Sequence, residues 1–499
     1  MTGNDWLPLL VVLTSLVTGL IIFFLKEEQS RLRTVLNITG AIVKLGLVGI
    51  MLWGVSHGRH YEIRLPFLPD LDLILRADAL ALMFVTLSAG LWLLTTIYAI
   101  GYLEGSPNRS RFFGFFSLCV TATMGIALAG NLPTFFVFYE MLTLATYPLV
   151  IHRGTAAALR AGNIYLFYTL SGGALLLAGI AWLTVLAGPV EFTQQGSLRS
   201  LRDQHTDALR MIFVLLIAGL GVKAALVPLH GWLPVAMVAP APVSALLHAV
   251  AVVKAGAFGI VRMVHDVFGI HLVADLGLLT PLAMIAALTI LYGSIRALAQ
   301  DDLKRRLAFS TISQISYIVL GIGLLSPVAV IGGVAHLVHQ GIMKITMFFC
   351  AGNVAETLDI HAISEMNGVG RRMPWTMAAF SIAALGMIGV PPLAGFISKW
   401  YLGLGALAAD QSWALIILTV SALLNAAYFL PILYRVWFQP PSVEARSEKQ
   451  PDARFETKLS LLAPAVLMAL LTLAVGIFAS SPFSPLEWAK LIAEREFSP

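Results

Sequence analysis

Residues 221–256 read GVKAALVPLHGWLPVAMVAPAPVSALLHAVAVVKAG, and this stretch determines the fold class. It is almost entirely apolar, yet it places Lys223 and Lys254 in two predicted helices and interrupts the first of them with proline. Proline removes a backbone hydrogen bond and kinks a helix. A lysine costs at least ~2.5 kcal/mol at the centre of a bilayer, so it is rarely kept there without a role. The stretch indicates membrane helices that carry functional charges.

The composition of the whole chain agrees with a membrane protein. Of its 499 residues, 58% are hydrophobic and 12% are charged, whereas soluble proteins carry about 25% charged residues. The apolar residues form runs of roughly 20, the length at which a helix crosses a ~30 Å hydrocarbon core, while strands of a membrane barrel are shorter. The sequence therefore predicts an all-α polytopic membrane protein of about fourteen transmembrane helices.

The apolar runs and the loop charges predict the topology. The spans are 7–25, 34–54, 78–103, 111–130, 131–150, 161–187, 209–228, 241–264, 274–298, 306–325, 328–353, 376–404, 413–435 and 459–480. The first is expected to be a retained helix, because no positive segment or small-residue cleavage site of a signal peptide accompanies it. More than half of the 32 Lys+Arg lie in loops after odd-numbered spans. The positive-inside rule then places both termini on the non-cytoplasmic side of a bacterial-type plasma membrane.

Two predicted helices, the seventh and the twelfth, are broken by proline at corresponding places. The second break lies in GVPPLAGFISK at 389–399. Paired breaks indicate inverted repeats with an ion pathway near the midplane. Helices 4–8 and 9–13 would form them, which divides the chain into three N-terminal helices (1–110), two five-helix repeats (111–264 and 265–438) and a charged linker with the last helix (439–499). Alternatively, both prolines are packing kinks, which are common in membrane helices.

A carboxylate lies within the fifth span, in FFVFYEMLTLATYPLV at 135–150. Glu140 shares a helix face with Thr143 and Tyr147, at i, i+3 and i+7. Lys223 is the best candidate for its partner. At about 4 Å and an effective dielectric of ~20 their attraction is roughly 4 kcal/mol, so opening or closing this pair could load or release a proton. Lys44, by contrast, is expected to extend to the membrane interface.

Histidines and further lysines continue the polar series. His248 and Lys254 are about 9 Å apart along the helix axis, a gap that one water could bridge. In AHLVHQGIMKI at 335–345, His336 and Lys344 share a face with Gln340, and His339 lies beside it. Histidine titrates near neutral pH and can pass protons in both directions. The two histidines could instead bind a metal, but no third ligand is apparent.

The tenth span adds hydroxyl and amide groups that could hold water, namely Ser310, Thr311, Ser313, Gln314, Ser316 and Tyr317. Lys399, just beyond the prolines of the twelfth span, would complete an exit. The candidate proton relay is Glu140, Lys223, His248, Lys254, His336, His339, Lys344 and Lys399. No cofactor or metal site is predicted, because Cys119 and Cys350 lie in separate spans without a CxxC motif.

At 221–256, in FYEMLTLATYPLV and in GVPPLAGFISKW, the chain resembles the antiporter-like subunits shared by respiratory complex I, membrane-bound hydrogenases and Mrp-type Na+/H+ antiporters. The resemblance implies that Glu140 pairs with Lys223 and that Lys254 is the central lysine. It places Lys399 where the complex I subunit of similar length has glutamate, which is more like the D-type subunit of the Mrp antiporters. Gln340 stands where many members are expected to have histidine.

Three functions follow from these observations. The first is an ion-exchange subunit of an Mrp-type complex, which moves protons against Na+ or another monovalent cation. The second is a proton-pumping subunit of a complex I-like or hydrogenase-like enzyme whose electron chemistry resides in other chains. The third is a scaffold whose buried charges hold helices together. The first two imply other membrane subunits and the lipid bilayer as partners, no nucleic acid, and no catalysis by this chain itself.

Overall fold

The computed structural model describes residues 6–68, 71–441 and 456–497. Most of the predicted linker at 439–458 lies outside the described residues. The N-terminal part consists of three helices and a two-stranded antiparallel hairpin: α1 Leu7–Phe23, α2 Ser30–Ser56, β1 Glu62–Leu68, β2 Leu71–Arg76 and α3 Ala79–Tyr102. Asp78 begins α3 as its N-cap, because its carboxylate accepts a hydrogen bond of 2.7 Å from the Ala81 amide.

The middle of the chain continues with seven α-helices and four short turns of other helix types. The helices are α4 Arg109–Leu128, α5 Leu132–Val150, α6 Ala156–Ala187, α7 Arg202–Lys223, α8 Trp232–Val235, α9 Ala241–Ala245 and α10 Val252–Arg262. The 3-10 turns are Arg199–Leu201 and Ala236–Val238, and the π-helical turns are Leu246–Val250 and Met263–Val267. Residues 241–267 together form one apolar span that is fully buried by the other helices. Because all of its residues are buried, we refer to the span 241–267 as the central helix.

The remaining part of the chain is also helical. Its elements are α11 Ile270–Asp275, α12 Leu279–Leu298, α13 Leu303–Gly323, α14 Pro327–Leu358, the 3-10 turn Ile363–Glu365, α15 Val369–Arg372, α16 Pro374–Ile388, α17 Ala394–Ala408, α18 Ser412–Phe438, α19 Leu459–Ile477 and α20 Pro485–Phe497. Each predicted span overlaps one or two helices of the structure.

The lengths and hydropathies of these helices suit a membrane. Ten helices of the described residues are long and apolar enough to cross it, and Leu7–Phe23 and Pro374–Ile388 are shorter apolar helices. Large apolar side chains remain exposed on the outer surface, such as Phe167 at 72% and Trp53 at 62%. Lipid is a good solvent for such side chains, whereas water is not. The prediction of a helical polytopic membrane protein is confirmed.

Helical structure stops at both predicted breaks. α7 ends at Lys223, and residues 224–231 turn before α8 begins. α16 ends before Gly389, whose φ of 103° lies in the left-handed region that glycine tolerates, and α17 begins at Ala394. Each break leaves the carbonyl groups at the end of a helix without the next turn to bind, and these carbonyls become acceptors for side chains.

Besides several short helical turns, a β-hairpin and a helix near the C-terminus were not predicted from the sequence. The term all-α omits the β-hairpin, whose short strands alternate apolar and polar residues between α2 and α3. Arg64 and Arg76 on this hairpin both bind Glu191 at 2.7 Å. The hydrogen bond from Arg64, with a smaller contribution from Arg76, holds the pKa of Glu191 below its ordinary value. The second element is the amphipathic helix α20, which buries Trp488 and Ile492.

Candidate functional site

Lys223 and Glu140 lie close together but do not form the predicted ion pair. The Lys223 side chain is fully buried, and its ammonium donates a hydrogen bond to the Tyr139 carbonyl of α5. The ammonium also lies 3.3 Å from the centre of the Tyr139 ring. Among the described residues, no carboxylate lies within 4.0 Å of it. The expected contact of about 4 Å is therefore wrong for this conformation, because Tyr139 already satisfies the ammonium.

The Glu140 carboxylate packs against helix α6 instead. Its Oε1 atom makes no hydrogen bond to the described chain. A methyl group at Gly173 would lie 2.3 Å from this oxygen, so the carboxylate would have to leave its present position. Electrostatic attraction between Glu140 and Lys223 persists across the open gap. Glu140 and Lys223 are thus neighbours without an ion pair, and Gly173 is a part of the site that was not predicted from the sequence.

The central helix carries the next two residues of the relay. His248 lies in the π-helical turn Leu246–Val250 and stacks on Phe348, with ring centres 4.5 Å apart. Neither of its ring nitrogens has a hydrogen-bond partner in the described structure. Lys254 is fully buried and donates to the Leu337 carbonyl of α14. π-helical turns inside α-helices occur frequently at functional sites.

The break after α7 packs directly on the central helix. A methyl group at Gly256 would lie 2.2 Å from the backbone nitrogen of Ala224, the residue that follows Lys223. Gly256 is two residues beyond Lys254 in the chain. The absence of a side chain at Gly256 therefore brings the end of α7 against the helix that carries Lys254. This close approach connects the Glu140 and Lys223 pair with the rest of the site.

Helix α14 contributes two histidines and a lysine. His336 Nδ1 lies 2.8 Å from the Ser398 hydroxyl, and its ring centre is 5.2 Å from that of Tyr317. His339 is buried and neither of its ring nitrogens is hydrogen-bonded to the described chain. Lys344 is buried as well, and it donates to the Ser310 hydroxyl and, at 3.3 Å, to the Leu307 carbonyl.

Lys399 occupies the second break. Its ammonium donates to the carbonyls of Met387 at 2.6 Å and Ile388 at 3.0 Å, which end α16. A cation is favourable at the C-terminal end of a helix. The same ammonium lies 5.3 Å from the centre of the Tyr317 ring, against which His336 also packs. Tyr317 thus contacts both a histidine and the terminal lysine.

The polar face of α13 joins Lys344 to this end of the site. Ser310 binds Lys344, Gln314 follows one turn later, and the Tyr317 hydroxyl donates to Ser421 at 2.8 Å. Both polar atoms of Gln314 and of Gln340 are buried without a partner in the described chain. Buried polar groups of native proteins are nearly always hydrogen-bonded, often through ordered water. Ordered water is the usual partner of such groups, and Gln314 and Gln340 are the side chains of this site that call for it.

One expectation about the lysines is wrong. Lys44 does not extend to the interface but is fully buried near the middle of α2. Its ammonium donates to the Ser15 hydroxyl at 2.6 Å and lies 4.6 Å from the centre of the Trp92 ring. Lys44 faces α1 and α3, so inward partners replace the water that it would otherwise have to reach. Neither of these partners is a residue of the candidate relay.

We expect Lys44→Met to leave proton transport at the wild-type rate. The change replaces a buried ammonium and its hydroxyl contact by an apolar chain of similar length. Such replacements are often neutral, so the free energy of unfolding should change by no more than about 1 kcal/mol. Thermal unfolding and proton flux of the same preparation check both parts. A loss of flux in correctly assembled protein would show that Lys44 belongs to the pathway.

The two histidines of α14 are the pair for which the sequence left a metal site open. Within the described residues, no group of three or more His, Cys, Asp or Glu side chains is placed to hold a metal ion. Cys119 and Cys350 are both buried free thiols.

The fold and site define a polytopic membrane protein with a buried series of lysine and histidine side chains. Residues 129–425 match the family described as "NADH:quinone oxidoreductase/Mrp antiporter, TM", and residues 69–113 match "NADH-Ubiquinone oxidoreductase (complex I), chain 5 N-terminus". The chain belongs to this NADH:quinone oxidoreductase/Mrp antiporter family, which confirms the resemblance seen in its motifs.

Individual relatives come from several complexes. The chain is 36% identical to NADH-quinone oxidoreductase subunit N of Desulforudis audaxviator, covering 82% of this chain and 83% of that protein. It is 27% identical to the D-type Na(+)/H(+) antiporter subunit of Alkalihalophilus pseudofirmus, covering 99% and 97%. Among solved structures, one chain of the Mrp complex from Dietzia sp. matches with a TM-score of 0.88 and 23% identity, covering 100% of this chain and 98% of that chain. This last likeness shows the fold.

Proposed function

We propose that this chain is the proton-translocating membrane subunit of a multisubunit antiporter that exchanges protons for Na+ or another monovalent cation. The observation that carries the proposal is how the relay lysines are held. Within the described residues, each relay lysine donates to a carbonyl or hydroxyl oxygen and none forms an ion pair with a carboxylate; these lysines are Lys223, Lys254, Lys344 and Lys399. Each can therefore give up its proton without breaking an ion pair in the membrane.

The proposed route follows the contacts of the site. Closing and opening of Glu140 on Lys223 sends a proton toward Lys254 across the close approach at Gly256. His248 belongs to the route on the same helix as Lys254, where it stacks on Phe348 of α14. From Lys254 the route continues along α14 through His336, His339 and Lys344. It ends at Lys399 beside Tyr317, where the break between α16 and α17 provides the exit.

The similarity over nearly full length to D-type Na(+)/H(+) antiporter subunits supports this reading. A second candidate is a proton-pumping subunit of a complex I-like or hydrogenase-like assembly. It is favoured by the higher identities to NADH-quinone oxidoreductase subunit N, at 36%, and to Hydrogenase-4 component B of Escherichia coli, at 32%. In both cases the chain moves ions and other subunits are its partners. Neighbouring genes for small antiporter subunits or for iron–sulfur subunits distinguish the two.

The proposal includes a finer architecture. Fourteen crossings place both termini on the non-cytoplasmic side of the plasma membrane. Residues 111–264 and 265–438 form inverted repeats after the three N-terminal helices of 1–110, and 439–499 provides the last crossing. The matched breaks at 224–231 and after Ile388 support this division, because each follows a helix that ends at a relay lysine or at its acceptor carbonyls.

The terminal lysine provides a test of the exit. We expect Lys399→Ala to lower sodium-driven proton flux by about 100-fold, the typical contribution of a positioned proton-transfer group. Lys399→Glu should retain part of the flux, because a carboxylate also titrates, and its optimum should move to lower pH since glutamate has the lower unperturbed pKa. Flux is measured with a pH-sensitive dye in vesicles that contain the assembled complex. Normal transport by the alanine variant would exclude Lys399 from the route.

The middle of α14 provides a second test. His339→Ala is expected to abolish flux, since Gln340 cannot be protonated and the alpha carbons of His336 and Lys344 are about 12 Å apart along the helix. Adding Gln340→His should then restore flux, because it returns a titratable ring to the same turn. Gln340→His alone should leave transport nearly unchanged. Full activity of the single alanine variant would identify His339 as a packing residue.

A further inference from the structure

A cavity of about 490 Å³ opens at the far end of the central helix, where α3, the β-hairpin and α20 meet. Its lining includes Asp78, Arg262, Asp266 and Glu496. The loop charges of the sequence place this end on the non-cytoplasmic side. None of the relay residues lines the cavity, and the residues between the cavity and Lys254 separate the two.

Arg262 closes the inner end of the cavity. Its side chain is only 1% exposed although it lines the cavity. The guanidinium donates to both oxygens of Asp78, at 2.7 and 3.0 Å, and to Asp266 at 2.8 Å. Such bidentate pairs with carboxylates are among the strongest and most directional contacts of proteins. This ion cluster ties the central helix to the N-cap residue of α3.

An aromatic pair lies directly beneath the ion cluster. The rings of Phe84 in α3 and Phe258 in α10 have centres 4.9 Å apart. The Arg262 guanidinium lies 5.1 Å from the centre of the Phe258 ring. Both phenylalanines are 1% exposed or less. Packed apolar rings exclude water, and apolar constrictions in channels block conduction in the same way.

The central lysine of the relay follows on the same side of the helix. Lys254, Phe258 and Arg262 are spaced i, i+4 and i+8 in α10, so they lie along one face. Lys254 and Arg262 are about 12 Å apart along the axis. From the cavity inward, the order is therefore ion cluster, aromatic pair and proton-carrying lysine.

We propose that the Asp78–Arg262–Asp266 cluster and the Phe84–Phe258 pair form an outer gate between Lys254 and this cavity. The inference rests on the proposed proton relay. In the closed gate the aromatic pair keeps water out, and the ion cluster holds the central helix against the start of α3. In the ion cluster, Arg262 of α10 binds Asp78, the N-cap residue of α3. In the aromatic pair, Phe258 of α10 packs against Phe84 of α3. A displacement of α3 relative to the central helix opens both layers together and admits water from the cavity to Lys254.

Neutralising the guanidinium tests the gate. In Arg262→Gln, passive proton leak across proteoliposomes of the assembled complex, measured without a sodium gradient, should rise at least about tenfold. The guanidinium's three hydrogen bonds to Asp78 and Asp266 are lost, and losing one such bond to a charged group already corresponds to about tenfold. Combining Arg262→Gln with Lys254→Met should return the leak to the wild-type level, because the open gate leads only to Lys254. A leak that persists in the double variant would overturn the proposal.

Arg76→Gln is the matched control. Arg76 lines the same cavity but binds Glu62 and Glu191 of the outer surface instead of Asp78. Its leak should equal that of the wild type. An increase as large as that of Arg262→Gln would show that any charge loss in the cavity disturbs the protein, and the gate would be abandoned.

Asp78→Asn provides a second variant that keeps the fold. Asparagine is as good an N-cap as aspartate, so the bond to the Ala81 amide can persist while the charge on Arg262 loses its bidentate partner. We expect a leak increase between those of the wild type and Arg262→Gln. Wild-type leak in both variants would exclude the gate and leave the relay untouched. Failure of the relay appears separately, as normal sodium-driven exchange in the single variant Lys254→Met.

Discussion

Glu140→Ala is expected to abolish sodium-driven proton flux, by about 100-fold or more, while the complex still assembles. In the structure the carboxylate stands apart from Lys223, and its Oε1 atom has no hydrogen-bond partner in the described chain. This oxygen is therefore available to the ammonium. Without it Lys223 keeps only the Tyr139 carbonyl and ring, and nothing alternately holds and releases its charge.

Glu140→Asp and Gly173→Ala separate charge from position. Aspartate keeps a carboxylate on a shorter side chain, so flux should be partly retained. A methyl group at Gly173 would collide with the carboxylate at 2.3 Å and push it from its resting place without removing the charge. We expect this variant to change the rate but not to abolish transport. Unchanged flux in Glu140→Ala would remove Glu140 from the mechanism.

Lys254→Met is expected to have an equally large effect. Methionine fills a similar volume, so the packing around the central helix is kept while the titratable group is lost. Lys254 lies between the end of α7 and the histidines of α14, where it donates to the Leu337 carbonyl. Its removal leaves His248 as the remaining relay residue of the central helix, and a proton from Lys223 then has no lysine to accept it beside the close approach at Gly256.

Lys44→Met is the matched control for this change. Both lysines are fully buried in apolar helices, and within the described residues neither ammonium forms an ion pair with a carboxylate. The same substitution should abolish flux at position 254 and leave it unchanged at position 44. Equal losses at both positions would mean that any buried lysine is needed for assembly, as the scaffold reading requires.

The sequence located the relay lysines within the helical spans, but it did not predict their contacts. Charged residues within apolar spans are conspicuous because the bilayer penalises them, and this criterion singled out Lys223, Lys254, Lys344 and Lys399. The same criterion could not tell that Lys44 is buried instead of lying at the interface. That outcome depends on Ser15 and Trp92, which lie on other helices.

Contacts between distant segments explain most of what was missed. Arg262 and Asp78 are 184 residues apart in the chain, and nothing in either segment specifies the other. Gly173 and Gly256 matter because of what packs against them, namely Glu140 and the residue after Lys223. The predicted ion pair failed for a local reason, since the Tyr139 carbonyl lies closer to the Lys223 ammonium than any carboxylate of the described chain does.

We propose that protons cross the membrane through the relay lysines of this chain in exchange for a monovalent cation. The most direct measurement is the internal pH of proteoliposomes that contain the assembled complex, followed after a sodium gradient is imposed without a membrane potential. Wild-type protein and Lys44→Met should show a pH change that reports proton movement opposite in direction to the sodium flow, and Lys223→Met should show none. A normal pH change in correctly assembled Lys223→Met would contradict the account.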